Sequence, residues 1–310
     1  MASKPDLLII GQVTIDDVVP ATPGPWRRQM GGSSLYAVAG ARLWLDPSRI
    51  GLLARIGQGY PFEVERLLRA AGLIHIALPR FATEHLIEWL IYEPDGSRRS
   101  LPRNRSALHT GAEGSRSIAS YDDLRLDFAA SADQLPADWL PVSAVHLCPQ
   151  IDPRHPDSLR TLRSAANWIA VDPSPQYSRT MSVEELAHHL EGATAVLPSA
   201  QEVGSLLERF EPAALASQLY QAGFSEVLIK RGAEPVVVLG EGGGVRCLPV
   251  VKTQVVDPTG AGDSFCGAYA ACRLLGYSCV ESARRAIATA ALVVSCSGVE
   301  AAMELTAPAL

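Results

Sequence analysis

Six short apolar runs, separated by helical stretches, constrain the fold of this chain more than any other feature. The runs are Leu7–Ile10, Ile50–Ile56, Ser143–Cys148, Trp168–Val171, Thr194–Leu197 and Glu226–Ile229. Runs of this length bounded by turn residues suit buried strands better than helices. The intervening segments carry helix punctuation: Leu35–Leu45 is closed by Pro47, and Pro61–Ala71 is stopped by Gly72. Strands alternating with helices predict an α/β architecture of three layers, a doubly wound, mostly parallel sheet covered on both faces. Ligands of such sheets bind beyond the carboxyl ends of the strands. Asp16, Asp172 and Ser199 each follow a strand-like run and are candidates for that crevice.

One stretch breaks the rhythm. From Thr83 to Tyr92 the pattern alternates, with His85, Ile87, Trp89 and Ile91 on one face. A Pro94–Asp95–Gly96 turn and Ser97–Ser100 follow, which predicts a β-hairpin. The polar segment from Gly111 to Gln134 reads as a surface connection. Gly240–Gly244 is glycine-rich but lies between strand-like runs with no helix after it, so it reads as a hairpin turn. The chain has no GxxxxGK[ST] loop, and its first strand–turn lacks the GxGxxG of dinucleotide enzymes.

Composition narrows the partners. A net charge of -6 argues against nucleic acid, whose phosphates call for clustered Lys and Arg. No apolar run approaches the roughly 20 residues that span a bilayer, and the start, MASKPDLLIIGQV, leads straight into a strand rather than a signal peptide. The six cysteines form no CxxC pair and sit mostly among core residues. They read as small fillers in a reducing compartment. The expectation is a cytoplasmic protein with a small-molecule substrate and neither a nucleic-acid nor a membrane partner.

The chemistry concentrates in Val255–Phe265, VVDPTGAGDSF. This stretch follows the strand-like run Leu248–Val251 and opens a helix whose apolar stripe is Phe265, Ala268, Tyr269, Cys272 and Leu275, ending at Gly276. The loop Thr259–Gly262 is therefore a helix N-terminus. Gly260 and Gly262 leave its backbone amides accessible, an arrangement that binds anions. Beside it stands a carboxylate, Asp263. An acid next to an anion cradle suits phosphoryl transfer: the cradle holds the migrating group while the acid takes the proton of the attacking hydroxyl. The plainer reading is a glycine turn with a first-turn Asp favoured by the helix dipole.

DPTGAGDSFCGAYAA resembles the carboxy-terminal signature of the ribokinase-like (PfkB) carbohydrate kinases, and weaker similarity extends over nearly the whole chain. The resemblance implies an ATP-dependent kinase domain over residues 1–310, with Asp263 as catalytic base and Gly260, Ala261 and Gly262 as anion hole. It implies a small β-sheet lid built from strands within about 12–30 and 81–105. In LLIIGQVTIDDVV it places Asp16 on substrate hydroxyls, with Asp17 as the alternative one residue on. In MGGSSLYAVAGARL it places Gly31 and Gly32 beside the substrate, and Tyr36 stands where Asn is common, which suggests ring stacking on the substrate. Gln150 joins the same pocket. On the nucleotide side it places Ser199, Lys230, Gly232 and Thr259. Glu202 would hold Mg²⁺ through water, and a monovalent cation could sit near Asp257 and Thr259.

Besides Tyr36, the chain departs from the family pattern at three places: Gly57–Gln58–Gly59 replaces an acidic pair, Ser199 replaces Asn, and Lys230 replaces Thr. Arg98, Arg103 and Arg105 could meet an anionic substrate, although a solvated basic loop is the plainer reading. The exposed edge of a small hairpin would invite a homodimer through the lid. The expected activity is transfer of the γ-phosphoryl group of ATP to a hydroxyl of a small sugar, polyol or nucleoside. The alternatives are a nucleoside kinase specifically and a catalytically weak ligand-binding regulator on the same fold.

Overall fold

The computed structural model describes residues 4–21, 24–81, 85–93, 98–100, 125–151 and 154–307. The first third of the chain forms β1 (Leu7–Gln12), β2 (Thr14–Val19), β3 (Arg27–Gly31), helix α1 (Ser33–Ala41), β4 (Ile50–Gly57), helix α2 (Val64–Ala70), β5 (His75–Ala77), β6 (Arg80–Phe81), β7 (Ile87–Tyr92) and β8 (Arg98–Ser100). Then come β9 (Val142–Leu147), α3 (Arg154–Leu162), β10 (Ala166–Val171), α4 (Val183–His189), β11 (Ala195–Val196), α5 (Pro212–Gln221), β12 (Glu226–Arg231), β13 (Glu234–Leu239) and β14 (Arg246–Leu248). Helices α6 (Ala261–Leu274), α7 (Cys279–Val293) and α8 (Gly298–Glu304) complete the chain.

The large sheet runs β14-β13-β12-β11-β10-β9-β1-β4-β5, with β6 also on β4. It is parallel from β5 through β12, and β13 alone runs the other way, pairing antiparallel with β12 and β14. Successive side chains of β1 point to opposite faces, as a pleated strand requires. Leu7 and Ile9 enter one core, shared with residues of α1 and α2; Leu8 and Ile10 enter another, shared with α3, α4 and α5. A third core packs α6 and α7 over β10–β14. The three-layer expectation holds. The chain winds outward from β1 in both directions, to β4 and to β9, so the crevice between β1 and β9 is the switch point where ligands bind in such sheets.

A separate sheet, β3-β2-β7-β8, stands apart from the large one. Its β7–β8 pair is the anticipated hairpin, with Leu90 opposite Ser100 and Tyr92 opposite Arg98. The Pro94–Gly96 turn lies outside the described residues. So does most of the Gly111–Gln134 connection. Its described end is not a surface loop, because Phe128, Ala129 and Ala130 are buried. The run Leu248–Val251 also differs from expectation: the strand stops at Leu248, and Val251 lies half exposed in an extended segment.

Helices α1 and α6 touch backbone to backbone. A Cβ on Gly40 would lie 2.0 Å from the Ser264 carbonyl oxygen, and one on Gly267 would lie 1.9 Å from that of Ala37. These two notches set the distance between the loops that begin each helix, Gly31–Gly32 and Gly260–Gly262. Gly267→Ala therefore forces the helices apart. We expect it to destabilise the protein by about 3 kcal/mol or more, as overpacking against rigid backbone does. Denaturant titration checks this; an unchanged midpoint would refute it.

Candidate active site

The turn before α6 carries the anion-binding geometry. Gly260 takes the left-handed conformation, φ 77°, which L side chains rarely adopt. A Cβ there would also lie 2.1 Å from the Tyr36 ring. Ser264 N–H donates to the Gly260 carbonyl at 2.9 Å, and Ala261 N–H reaches the Pro258 carbonyl only at 3.4 Å. Among the described residues the amides of Gly260 and Gly262 donate to no main-chain carbonyl. They are the unspent donors of a helix start, backed by its dipole.

Asp263 sits in the first turn of α6, partly open to solvent. Burial raises its carboxyl above the usual range, while the charges of Lys230 and Arg98 pull it down. The acid thus follows the turn directly in sequence, within reach of the charges of Lys230 and Arg98.

Asp16 approaches from β2. It is buried, and Thr14 donates its hydroxyl to Oδ1 at 2.6 Å. A Cβ on Gly31 would lie 2.0 Å from Oδ2, so glycine is needed there because the carboxylate occupies the space. Burial pushes the Asp16 carboxyl up to about 7, with Glu88 and Asp263 adding to the rise and Thr14 and Arg98 opposing it. Asp17 points elsewhere: both its oxygens accept from Arg28, at 2.7 and 2.8 Å. Gly32 has φ 113° and starts α1 beside this acid.

Tyr36 corrects one expectation. The residue is only 1% exposed, and its ring packs against Gly260, which leaves no face for stacking on a substrate. Its hydroxyl, however, is buried and has no partner among the described residues. Both amide atoms of Gln150, which follows β9 at the switch point, are likewise buried with no partner among the described residues.

On the other side of the crevice, Ser199 follows β11 and bridges to Lys230 of β12. Glu202 accepts the Ser199 N–H, so its carboxylate is turned back on its own loop. Gly232 has φ 62° in the open turn between β12 and β13. Thr259 is buried, and its hydroxyl is taken by Tyr92 at 2.8 Å. Asp257 accepts from Thr259 N–H at 2.9 Å and from the Ser297 hydroxyl at 3.1 Å, with the Arg27 guanidinium 3.7 Å away. Two residues of the small sheet, Tyr92 and Arg27, thus brace the loop that precedes the anion turn. Neither was singled out in the sequence, where Tyr92 and Thr259 lie 167 residues apart. We expect Tyr92→Phe to raise the KM for nucleotide a few-fold and to cost about 1 kcal/mol, the worth of one buried hydrogen bond. Steady-state kinetics and thermal melts check it; full retention of both would contradict the bracing role.

Arg98, at the start of β8, hydrogen-bonds Tyr92, and its charge acts on both Asp16 and Asp263. The residue is exposed, so it is solvated while its charge still reaches both acids. Arg103 and Arg105 lie outside the described residues. No three His, Cys, Asp or Glu side chains converge as a metal cage among the described residues. Glu202 and Asp172 are near enough to influence each other. That sparse set fits Mg²⁺ held mainly by phosphate and water oxygens. No helix among the described residues is long and apolar enough to cross a membrane.

The chain is similar to known proteins in sequence and in fold. The chain is 26% identical over 281 residues to a cytidine kinase of Thermococcus kodakarensis, covering 88% of each chain. It is 40% identical over 85 residues to the 2-dehydro-3-deoxygluconokinase of Escherichia coli, 26% of this chain and 28% of that one. In structure it resembles a Burkholderia thailandensis nucleoside kinase in complex with ADP-inosine, with a TM-score of 0.70, 16% identity and coverage of 97% and 92%. It also resembles a Xylella fastidiosa fructokinase with bound ATP, with a TM-score of 0.68, 19% identity and coverage of 96% and 95%. The model of the pfkB family carbohydrate kinases matches residues 102–306. With an anion turn, a neighbouring acid and a family model spanning most of its length, the chain belongs to the pfkB family of carbohydrate kinases.

Proposed function

We propose that the chain is an ATP-dependent kinase that transfers the γ-phosphoryl group to a hydroxyl of a small sugar, polyol or nucleoside. The observation that carries this reading is Asp263 in the first turn of α6, beside backbone amides with no main-chain partner. In this reading Asp263 accepts the proton of the acceptor hydroxyl as its oxygen attacks the γ-phosphorus. The amides of Gly260, Ala261 and Gly262, with the helix dipole behind them, stabilise charge on the transferring oxygens. Asp16 takes hydroxyls of the acceptor, and Gly31 and Gly32 let the backbone come close. Mg²⁺, when bound, would neutralise charge between the phosphates, and Glu202 would reach it through water once its carboxylate leaves the Ser199 N–H. The small sheet serves as a lid over the acceptor and excludes water that would otherwise compete as nucleophile.

The whole of 1–310 acts as one kinase domain, working in a reducing cytoplasm that suits its six free cysteines. The lid is also the surface offered for a homodimer: Trp26, 48% exposed, lies against Trp89 with ring centroids 5.6 Å apart. Gel filtration of the wild type and of Trp26→Ser decides that point.

A nucleoside acceptor is favoured within this class by Gln150. Its buried, unpaired amide offers a donor and an acceptor side by side, the complement of a nucleobase edge. The likeness to a cytidine kinase over most of both chains points the same way. A sugar acid would instead use Arg98. The test is ADP release from MgATP with a panel of nucleosides, sugars, polyols and sugar acids. Turnover with nucleosides alone supports the narrower reading, and turnover with sugars or sugar acids alone removes it. Tight ATP binding with no turnover on any acceptor would favour the regulator and sink the kinase.

A further inference from the structure

Lys230 is a charged side chain in a place where the fold alone does not need one. It is 8% exposed, and its ammonium donates to Asp172 Oδ2 at 2.5 Å and touches Cys266 Sγ at 3.2 Å. Burial opposes the charge, but Asp172 and Glu202 outweigh it and hold the ammonium well above the ordinary lysine range. Burying such a pair stabilises a fold little, since desolvating two ions offsets their attraction, and an apolar pair of similar volume often does as well. The geometry places this ammonium at the site, whereas Asp172 Oδ1, buried with no partner among the described residues, would accept only a donor or a cation. A Cβ on Gly262 would lie 3.6 Å from Lys230 Nζ, so the ammonium sits directly against the anion turn.

The backbone holds it there. Lys230 N–H donates to the Pro198 carbonyl, and Ala200 N–H donates to the Lys230 carbonyl, both at 2.8 Å. Two of the chain's departures from the family pattern, Ser199 and Lys230, are thereby adjacent in space. One position loses an amide side chain and its neighbour gains an ammonium.

We infer that Lys230 is a nucleotide-responsive cation: it exchanges its contact with Asp172 for the terminal phosphates when a triphosphate lies on the Gly260–Gly262 turn. This rests on the kinase reading above and goes further, because it adds a fixed side-chain charge to the main-chain amides in phosphate binding. Affinity for the triphosphate therefore survives removal of divalent metal and depends on the lysine.

The test is calorimetric titration of the full chain with ATP and with adenosine in EDTA. The proteins are wild type, Lys230→Met and the double variant Asp172→Asn/Lys230→Met. The double variant removes both charges, so it guards against misfolding caused by an orphaned buried acid. Wild type is expected to bind ATP more tightly than adenosine. Both variants are expected to lose about 10- to 100-fold in ATP affinity, the worth of a charge-assisted contact, with adenosine affinity unchanged within about twofold. A folded double variant that binds ATP like wild type would overturn the inference and leave Lys230 as a counter-ion to Asp172. Failure of the kinase reading is a different result: wild type would then bind ATP no better than adenosine, and no acceptor would release ADP.

Discussion

Asp263→Asn is expected to lower kcat by about 10²- to 10⁴-fold, the range in which a positioned general base acts, while ATP affinity stays within a few-fold. Asn keeps the shape of the side chain and cannot accept the proton of the acceptor hydroxyl. The anion turn is main chain, so its amides of Gly260 and Gly262 survive the substitution. The fold survives too: burial raises the Asp263 carboxyl, which means that the native state prefers it uncharged. The variant should melt no lower than wild type. In wild type, turnover should fall as pH drops through the raised pKa, because the protonated acid cannot serve as base. Coupled ADP-release kinetics, nucleotide titration and thermal melts measure the three quantities. Turnover within tenfold of wild type would eliminate Asp263 as the base.

Asp16→Asn is expected to cost about 10²-fold in kcat/KM for the acceptor, since truncating a charged hydrogen-bond acceptor costs roughly 1.5–3 kcal/mol, and to stabilise the protein above neutral pH. The sign follows from the pKa of about 7 in the folded chain against 3.8 for an unperturbed Asp. Between these values the native protein keeps a proton that the unfolded chain has lost. Stability therefore falls as pH rises from about 4 to 7 and is flat above, where the buried charge exacts its full penalty. Asn carries no such penalty. The melting advantage of the variant should widen between pH 5 and pH 8, reaching on the order of 2–4 kcal/mol. In wild type the acceptor KM should climb as pH falls below 7, when the carboxylate takes a proton and loses acceptor capacity. A pH-independent difference in melting between the two proteins would show that the charge is not buried as described.

Much of this site can be read from the sequence because its parts are local. The glycines and the acid of Thr259–Asp263 are consecutive, and a helix start dictates which way their amides point. Each of the six apolar runs overlaps the strand it predicts, because a buried parallel strand must be apolar on both faces, although Ser143–Cys148 and Thr194–Leu197 extend beyond β9 and β11. The resemblance puts Asp16 first and Asp17 second, but the residues of the strand do not by themselves separate the two. Neighbours in a strand face opposite ways, and only the pairing of β2 with β3 shows that Arg28 claims Asp17. Tyr36 misled for a related reason. An aromatic residue beside a glycine pair suggests stacking on a ligand, but the crossing of α1 over α6 spends that ring on Gly260.

The sequence by itself determined the layered α/β architecture, the anion turn and the identity of its acid, because strand burial, helix initiation and glycine geometry are set by residues close together in the chain. Only the tertiary structure decided which distant groups share the crevice: Tyr92 on Thr259, Arg27 by Asp257, and Lys230 between Asp172 and Gly262. Such contacts depend on how the two sheets and the paired helices come to rest against one another. That is settled by packing over the whole core and leaves no periodic trace in any single segment.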